Sequence, residues 1–181
     1  MKNYKNKTKG FTLLETLVAL SILIIAITVT FTAAQNGLAA AIEARDQVVA
    51  FNLAQEGVEM VRNVRDENGL QGISWLTGLS VQVSDPCYFG KSCIVDATTK
   101  TFSACASPGN CSNLLQDKNT SSSQYGMFGY NSSWSPTVFN REITLTQVSS
   151  NEVRITVVMT WVNRSVQRQF KIHESIFNWQ Q

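Results

Sequence analysis

The chain has 181 residues, 15% of them charged and 44% hydrophobic, and a formal net charge of +2. That length suits one domain with one long segment outside it. The charge is uneven: Lys2, Lys5, Lys7 and Lys9 crowd the first ten residues with no acid among them, and the rest carries about −2. A nucleic-acid-binding body needs clustered Lys and Arg on its folded part, and no such block follows residue 10, so no direct nucleic-acid site is expected.

In chain order, residues 1–10 are a polar, basic leader. From Thr16 to Ile42 no residue is charged, and Leu17–Phe31 is nearly all apolar. An apolar run longer than about 18 residues can cross a hydrocarbon core of roughly 30 Å. A secretory signal peptide has a shorter apolar region, about 7–15 residues, followed by a small-residue cleavage site. Here the run is longer and passes without such a site into a polar helical pattern. The leader lysines keep the amino terminus on the cytoplasmic side of the inner membrane, which places the body outside.

From Phe11 to about Arg65 good helix formers dominate, no proline interrupts, and Gly37 and Gly57 are the internal glycines. At 1.5 Å per residue this predicts a helix of roughly 80 Å. Its first half is apolar all round. Its second half carries Glu43, Arg45, Asp46, Gln47, Glu56, Glu59 and Arg62 on one side. Ile42, Val49, Leu53, Met60 and Val64 form an apolar stripe that requires a sheet to lie on. Asn68-Gly69 is a helix-ending signal.

Residues 70–138 read as loop-rich, with short strand candidates at Leu79–Val83, Cys93–Val95 and Thr101–Cys105. The clearest β region is carboxy-terminal: 142–148, 152–162 and 166–172 are rich in Val, Ile and Thr. Ser149-Ser150-Asn151 and Asn163-Arg164-Ser165 separate them at hairpin length. An antiparallel meander follows.

Cys87, Cys93, Cys105 and Cys111 all lie in the exported body, an even number in an oxidising compartment. Two pairings are open: local (Cys87–Cys93 with Cys105–Cys111) and nested (Cys87–Cys111 with Cys93–Cys105). Zinc ligation would call for ligands two to four residues apart, often with histidine, and His173 stands far off. No metal and no cofactor is expected. His173 has no neighbouring nucleophile and no G-x-S-x-G is present, so no enzyme is expected. Trp161, within its β run, reads as core.

Lys9-Gly10-Phe11-Thr12-Leu13-Leu14-Glu15, running directly into the apolar helix, closely resembles the processing site of type IV prepilins and type II secretion pseudopilins. Glycine before the cut leaves a backbone that no side chain obstructs. The resemblance implies cleavage between Gly10 and Phe11 by a membrane-embedded prepilin peptidase, and N-methylation of Phe11. It also implies that Glu15 pairs with the positive amino terminus of a neighbouring subunit and so sets the axial stagger. A lone carboxylate in an apolar span needs such compensation, since insertion at mid-membrane costs roughly 2.5–3.5 kcal/mol. As a first-turn acid it also suits the helix dipole.

The expectation is therefore an α+β, pilin-like fold, its long amino-terminal helix packed on a carboxy-terminal antiparallel sheet. Residues 1–10 form the leader, 11–36 the transmembrane or filament-core half-helix, 37–68 the amphipathic half, and 69–181 a disulfide-stapled β head. The resemblance implies a structural filament subunit whose partners are other pilin subunits, the prepilin peptidase, a platform protein and an assembly ATPase. Many major pilins carry a proline in the membrane half of the helix. None lies between Phe11 and Asn36, which suits a minor pilin or a pseudopilin. The alternatives are a type II secretion or DNA-uptake pseudopilin and, from another class, a membrane-anchored binding or sensor domain that never polymerises.

Overall fold

The computed structural model describes residue 10 and residues 12–179. Helix α1 spans Leu13–Leu70, 58 residues. It begins two residues later than the sequence pattern implied because Thr12 caps it: the Thr12 hydroxyl accepts from the Glu15 amide at 3.3 Å. It ends later too, and by a different residue. Gly72, at φ 69°, takes the left-handed conformation, its amide bonds the Gly69 carbonyl, and the Ile73 amide bonds the Asn68 carbonyl. This double closure is a Schellman cap, so Gly72 is the stop and Asn68-Gly69 are still helix. The Asn68 amide group turns inward instead and donates to the carbonyls of Trp75 and Thr77.

The chain divides into two units, residues 1–45 and 46–181, and α1 contributes to both. In the first, the described residues from Thr12 to Leu38 are exposed on every side of α1. In the second, α1 lies on a seven-stranded, wholly antiparallel sheet. Its strands are β1 (Ser92–Asp96), β2 (Thr101–Ala104), β3 (Asn113–Gln116), β4 (Phe128–Gly129), β5 (Ser135–Ser149), β6 (Glu152–Asn163) and β7 (Val166–Phe177).

Strand β5 is the hub. One of its edges pairs with β3 near its start and with β1 further along, and its other edge pairs with β6, which carries β7. Alternation selects the inner face. Phe139, Arg141, Ile143 and Leu145 of β5 lie opposite Trp161, Met159, Val157 and Ile155 of β6, and all eight are buried. Full burial of a residue such as Leu145 or Ile155 contributes about 1.5–3 kcal/mol. Against this face α1 buries Ala50, Leu53, Ala54, Gly57, Val58, Met60 and Val61. Of the apolar stripe read from the sequence, Leu53 and Met60 are buried and Val49 and Val64 pack half-buried on the same core, whereas Ile42 remains 42% exposed; the small residues Ala50, Ala54 and Gly57 complete the face and let the helix approach.

Four strand assignments differ from the sequence reading. Leu79–Val83 is turn, not strand: the amides of Val81 and Gln82 donate to the Asp85 carboxylate, which competes with a sheet ladder. The four-residue β3 and two-residue β4 carry too little periodicity to stand out from loop. The meander also begins at Ser135 rather than Glu142, because Pro136 near the start of β5 is tolerated there.

Candidate processing and assembly site

Gly10 is exposed, and a side chain placed there would meet nothing within 4 Å. Phe11 lies outside the described residues. Thr12 follows as the helix cap, and three residues on Glu15 holds the position that completes a T-x-x-E capping-box spacing. Glu15 is also the acid of the first helical turn, where exposed amides favour negative charge.

Beyond Glu15 the helix presents Leu17, Leu20, Ile24, Ile27 and Phe31 to the surroundings, each more than half exposed. Its hydroxyls are turned back on the backbone. Thr16 donates to the Leu13 carbonyl at 2.9 Å, Ser21 to Val18 at 2.8 Å, and Thr32 to Thr28 at 2.8 Å. Thr28 and Thr30 likewise reach the carbonyls of Ile24 and Ala26. Such self-satisfaction is what an apolar medium demands, since no water is there to take a free donor. Among the described residues, this is the one helix long and apolar enough to cross a membrane.

A second polar centre, which sequence reasoning missed, joins α1 to the sheet. Arg141 of β5 is completely buried. One terminal nitrogen donates to the Leu53 carbonyl at 2.7 Å and to Glu56 at 2.6 Å, and the other to the Val95 carbonyl of β1 at 2.6 Å. One guanidinium thus ties α1, β5 and β1 together. Gly57 makes room: a Cβ there would stand 3.2 Å from Arg141 Cδ and 3.3 Å from Ile143 Cδ1. Two signals were readable, an arginine at an inward position between Phe139 and Ile143, and a glycine inside a long helix.

Beside it, burial pushes the Tyr130 phenol up to about 12, although Arg141 pulls the other way. For Asp96, burial raises the carboxyl. Hydrogen bonds from the Thr98 hydroxyl and from the amides of Thr98, Tyr130 and Thr99 together outweigh it and leave the carboxyl below its ordinary value.

The cysteines pair locally. Cys87–Cys93, with Cα atoms 5.1 Å apart, ties the segment before β1 to that strand, and Cys105–Cys111, at 4.8 Å, closes the loop between β2 and β3. His173 lies on an exposed face of β7 with Nδ1 3.0 Å from the Thr156 hydroxyl. No cluster of metal-ligating side chains occurs among the described residues. Trp161 is buried, as read from the sequence, whereas Trp179 is exposed.

Comparison with curated proteins and with solved structures returns no significant match. At the amino terminus the outcome is different. Residues 5–31 match the prokaryotic N-terminal methylation motif, the signature of type IV pilins and pseudopilins, so the chain carries a prepilin-type amino terminus.

Proposed function

We propose that this chain is a minor pilin or pseudopilin, a structural subunit of a type IV pilus-like filament, processed after Gly10 and N-methylated at Phe11. One observation carries the reading: the methylation motif over residues 5–31 runs without interruption into a helix whose early turns are apolar and exposed on all sides. Such a surface is stable only in lipid or against other apolar helices. Membrane storage followed by filament assembly supplies both in turn. The amino terminus lies in the cytoplasm and the head outside, by the charge of the leader. A platform protein and an assembly ATPase drive extraction from the membrane.

Glu15 is the assembly residue. Its carboxylate meets the cationic amino terminus of a neighbour in a low-dielectric setting, where an unpaired charge is expensive. Mass spectrometry of the protein from its host is the first test, with a chain beginning at N-methyl-Phe11 as the expected result. Glu15→Ala and Glu15→Gln should then reach normal membrane levels but be depleted from sheared filaments. Mature protein that still begins at Met1 would rule out prepilin processing. A processed wild-type chain that never enters filaments would favour a membrane-anchored binding domain instead.

A further inference from the structure

The unit formed by residues 46–181 has two exposed apolar patches at opposite ends. Contacts along α1 set the geometry. Phe51 packs on Phe170 with ring centroids 6.3 Å apart, Arg62 pairs with Glu174 further along, and Gly69 lines a small pocket together with Phe177 and Trp179. Residues 46–70 of α1 and strand β7 therefore run side by side in the same direction. Val48, Phe51 and Val166 mark one end, and Leu70, Ile73, Phe177 and Trp179 the other. With β7 12 residues long, its ends stand roughly 36 Å apart, at a rise of about 3.3 Å from each residue to the next.

The patches are chemically unlike. At the first end the β6–β7 turn presents Arg164, held with Ser165 in the left-handed conformation at φ 47° and 69°, and Arg168 follows on β7. The acid of this end, the half-buried Asp46 of α1, is already engaged in an interaction, as is Arg168. At the second end Glu67 is exposed, Glu152 stands directly opposite Phe177, and the helix terminus has no basic residue in its last turn. The negative end of the helix dipole adds to that charge. Arg65 there is already paired with Asp66, and Arg154 lies two residues inward from Glu152.

We infer that these two ends dock on each other between copies of this chain, the cationic β6–β7 end of one head seating on the acidic helix-end patch of the next. This inference rests on the filament reading above and names the head surfaces used in it. Self-pairing of either end is disfavoured by its own charge, whereas the unlike pair combines apolar contact with charge attraction. A contact between two different patches is heterologous, and a heterologous contact whose rotation does not close generates an open filament.

The test uses the full chain in its host. A photo-crosslinking residue replaces Val166, and the linked partner is identified by mass spectrometry. The expected product joins Val166 to residues 67–73 or 177–179 of a second copy. Arg164→Glu should lower its yield about fivefold, as should Glu152→Arg, and the two together on separate copies should restore it. A product joined to lipid, to another protein or to the partner's own Val166 region overturns the inference, as does no product from processed protein recovered in filaments. Wild-type protein missing from filaments would count against the filament reading itself, and is scored separately in the same sheared fraction.

Discussion

Gly57→Ala is the substitution whose sign the structure decides. On helix propensity alone it should stabilise α1, since alanine is favoured over glycine by about 1 kcal/mol inside a helix. The new methyl would press on Arg141 Cδ at 3.2 Å and Ile143 Cδ1 at 3.3 Å, closer than ordinary contact. Arg141 cannot swing away, because its guanidinium is held at 2.6–2.7 Å by the Leu53 and Val95 carbonyls and by Glu56. Overpacking against a pinned neighbour costs about 1–3 kcal/mol, so the variant should be destabilised by about 1 kcal/mol net. Arg141→Ala should cost about 3 kcal/mol. That is the low end for breaking a buried pair, because the Glu56 side chain is 37% exposed and regains water. In that background the close approach to Ile143 Cδ1 remains and offsets the propensity gain, so Gly57→Ala should become about neutral, giving a coupling of about 1 kcal/mol between the two sites. Urea unfolding of the full chain in detergent, followed by tryptophan fluorescence and near-UV circular dichroism, measures all four corners of the cycle. Additive effects, or stabilisation by Gly57→Ala in the wild-type background, would show that Arg141 does not limit the helix–sheet distance.

Other expectations follow from single features. Replacing Cys87 and Cys93 by serine should cost about 3 kcal/mol, because both positions are fully buried. Removing the half-buried Cys105–Cys111 bridge should cost about 2 kcal/mol, with non-reducing peptide mapping as control. Ser165→Gly should stabilise the head by about 1 kcal/mol, since Ser165 sits at φ 69°, and an unchanged melting temperature would contradict that reading of the turn. Tyr130, with its phenol raised to about 12 in the fold, binds its proton more tightly folded than unfolded. Its contribution to stability is therefore intact below pH 10 and lost as pH rises from 10 to 12. Tyr130→Phe should flatten that alkaline decline in unfolding measurements.

The chain's amino-terminal organisation was legible without a structure because it rests on local chemistry. Gly10, the acid at Glu15 and the charge-free run to Ile42 stand within one short stretch of sequence, and the methylation motif over residues 5–31 is recognisable there without reference to distant parts of the chain. The long helix and the three long strands were legible for the same reason, since 3.6-residue and two-residue periodicities are written into neighbouring positions. Helix limits were less legible: Thr12 and Gly72 fix them through hydrogen bonds that simple periodicity does not show. Only the tertiary structure decided which small residues face the sheet, why the helix carries a glycine at 57, and what a charged residue does in the middle of β5. Arg141 finds its partners 46 to 88 residues away along the chain. A buried charge is tolerable only when such partners converge on it, and convergence of that kind is a property of the folded chain rather than of any one of its segments.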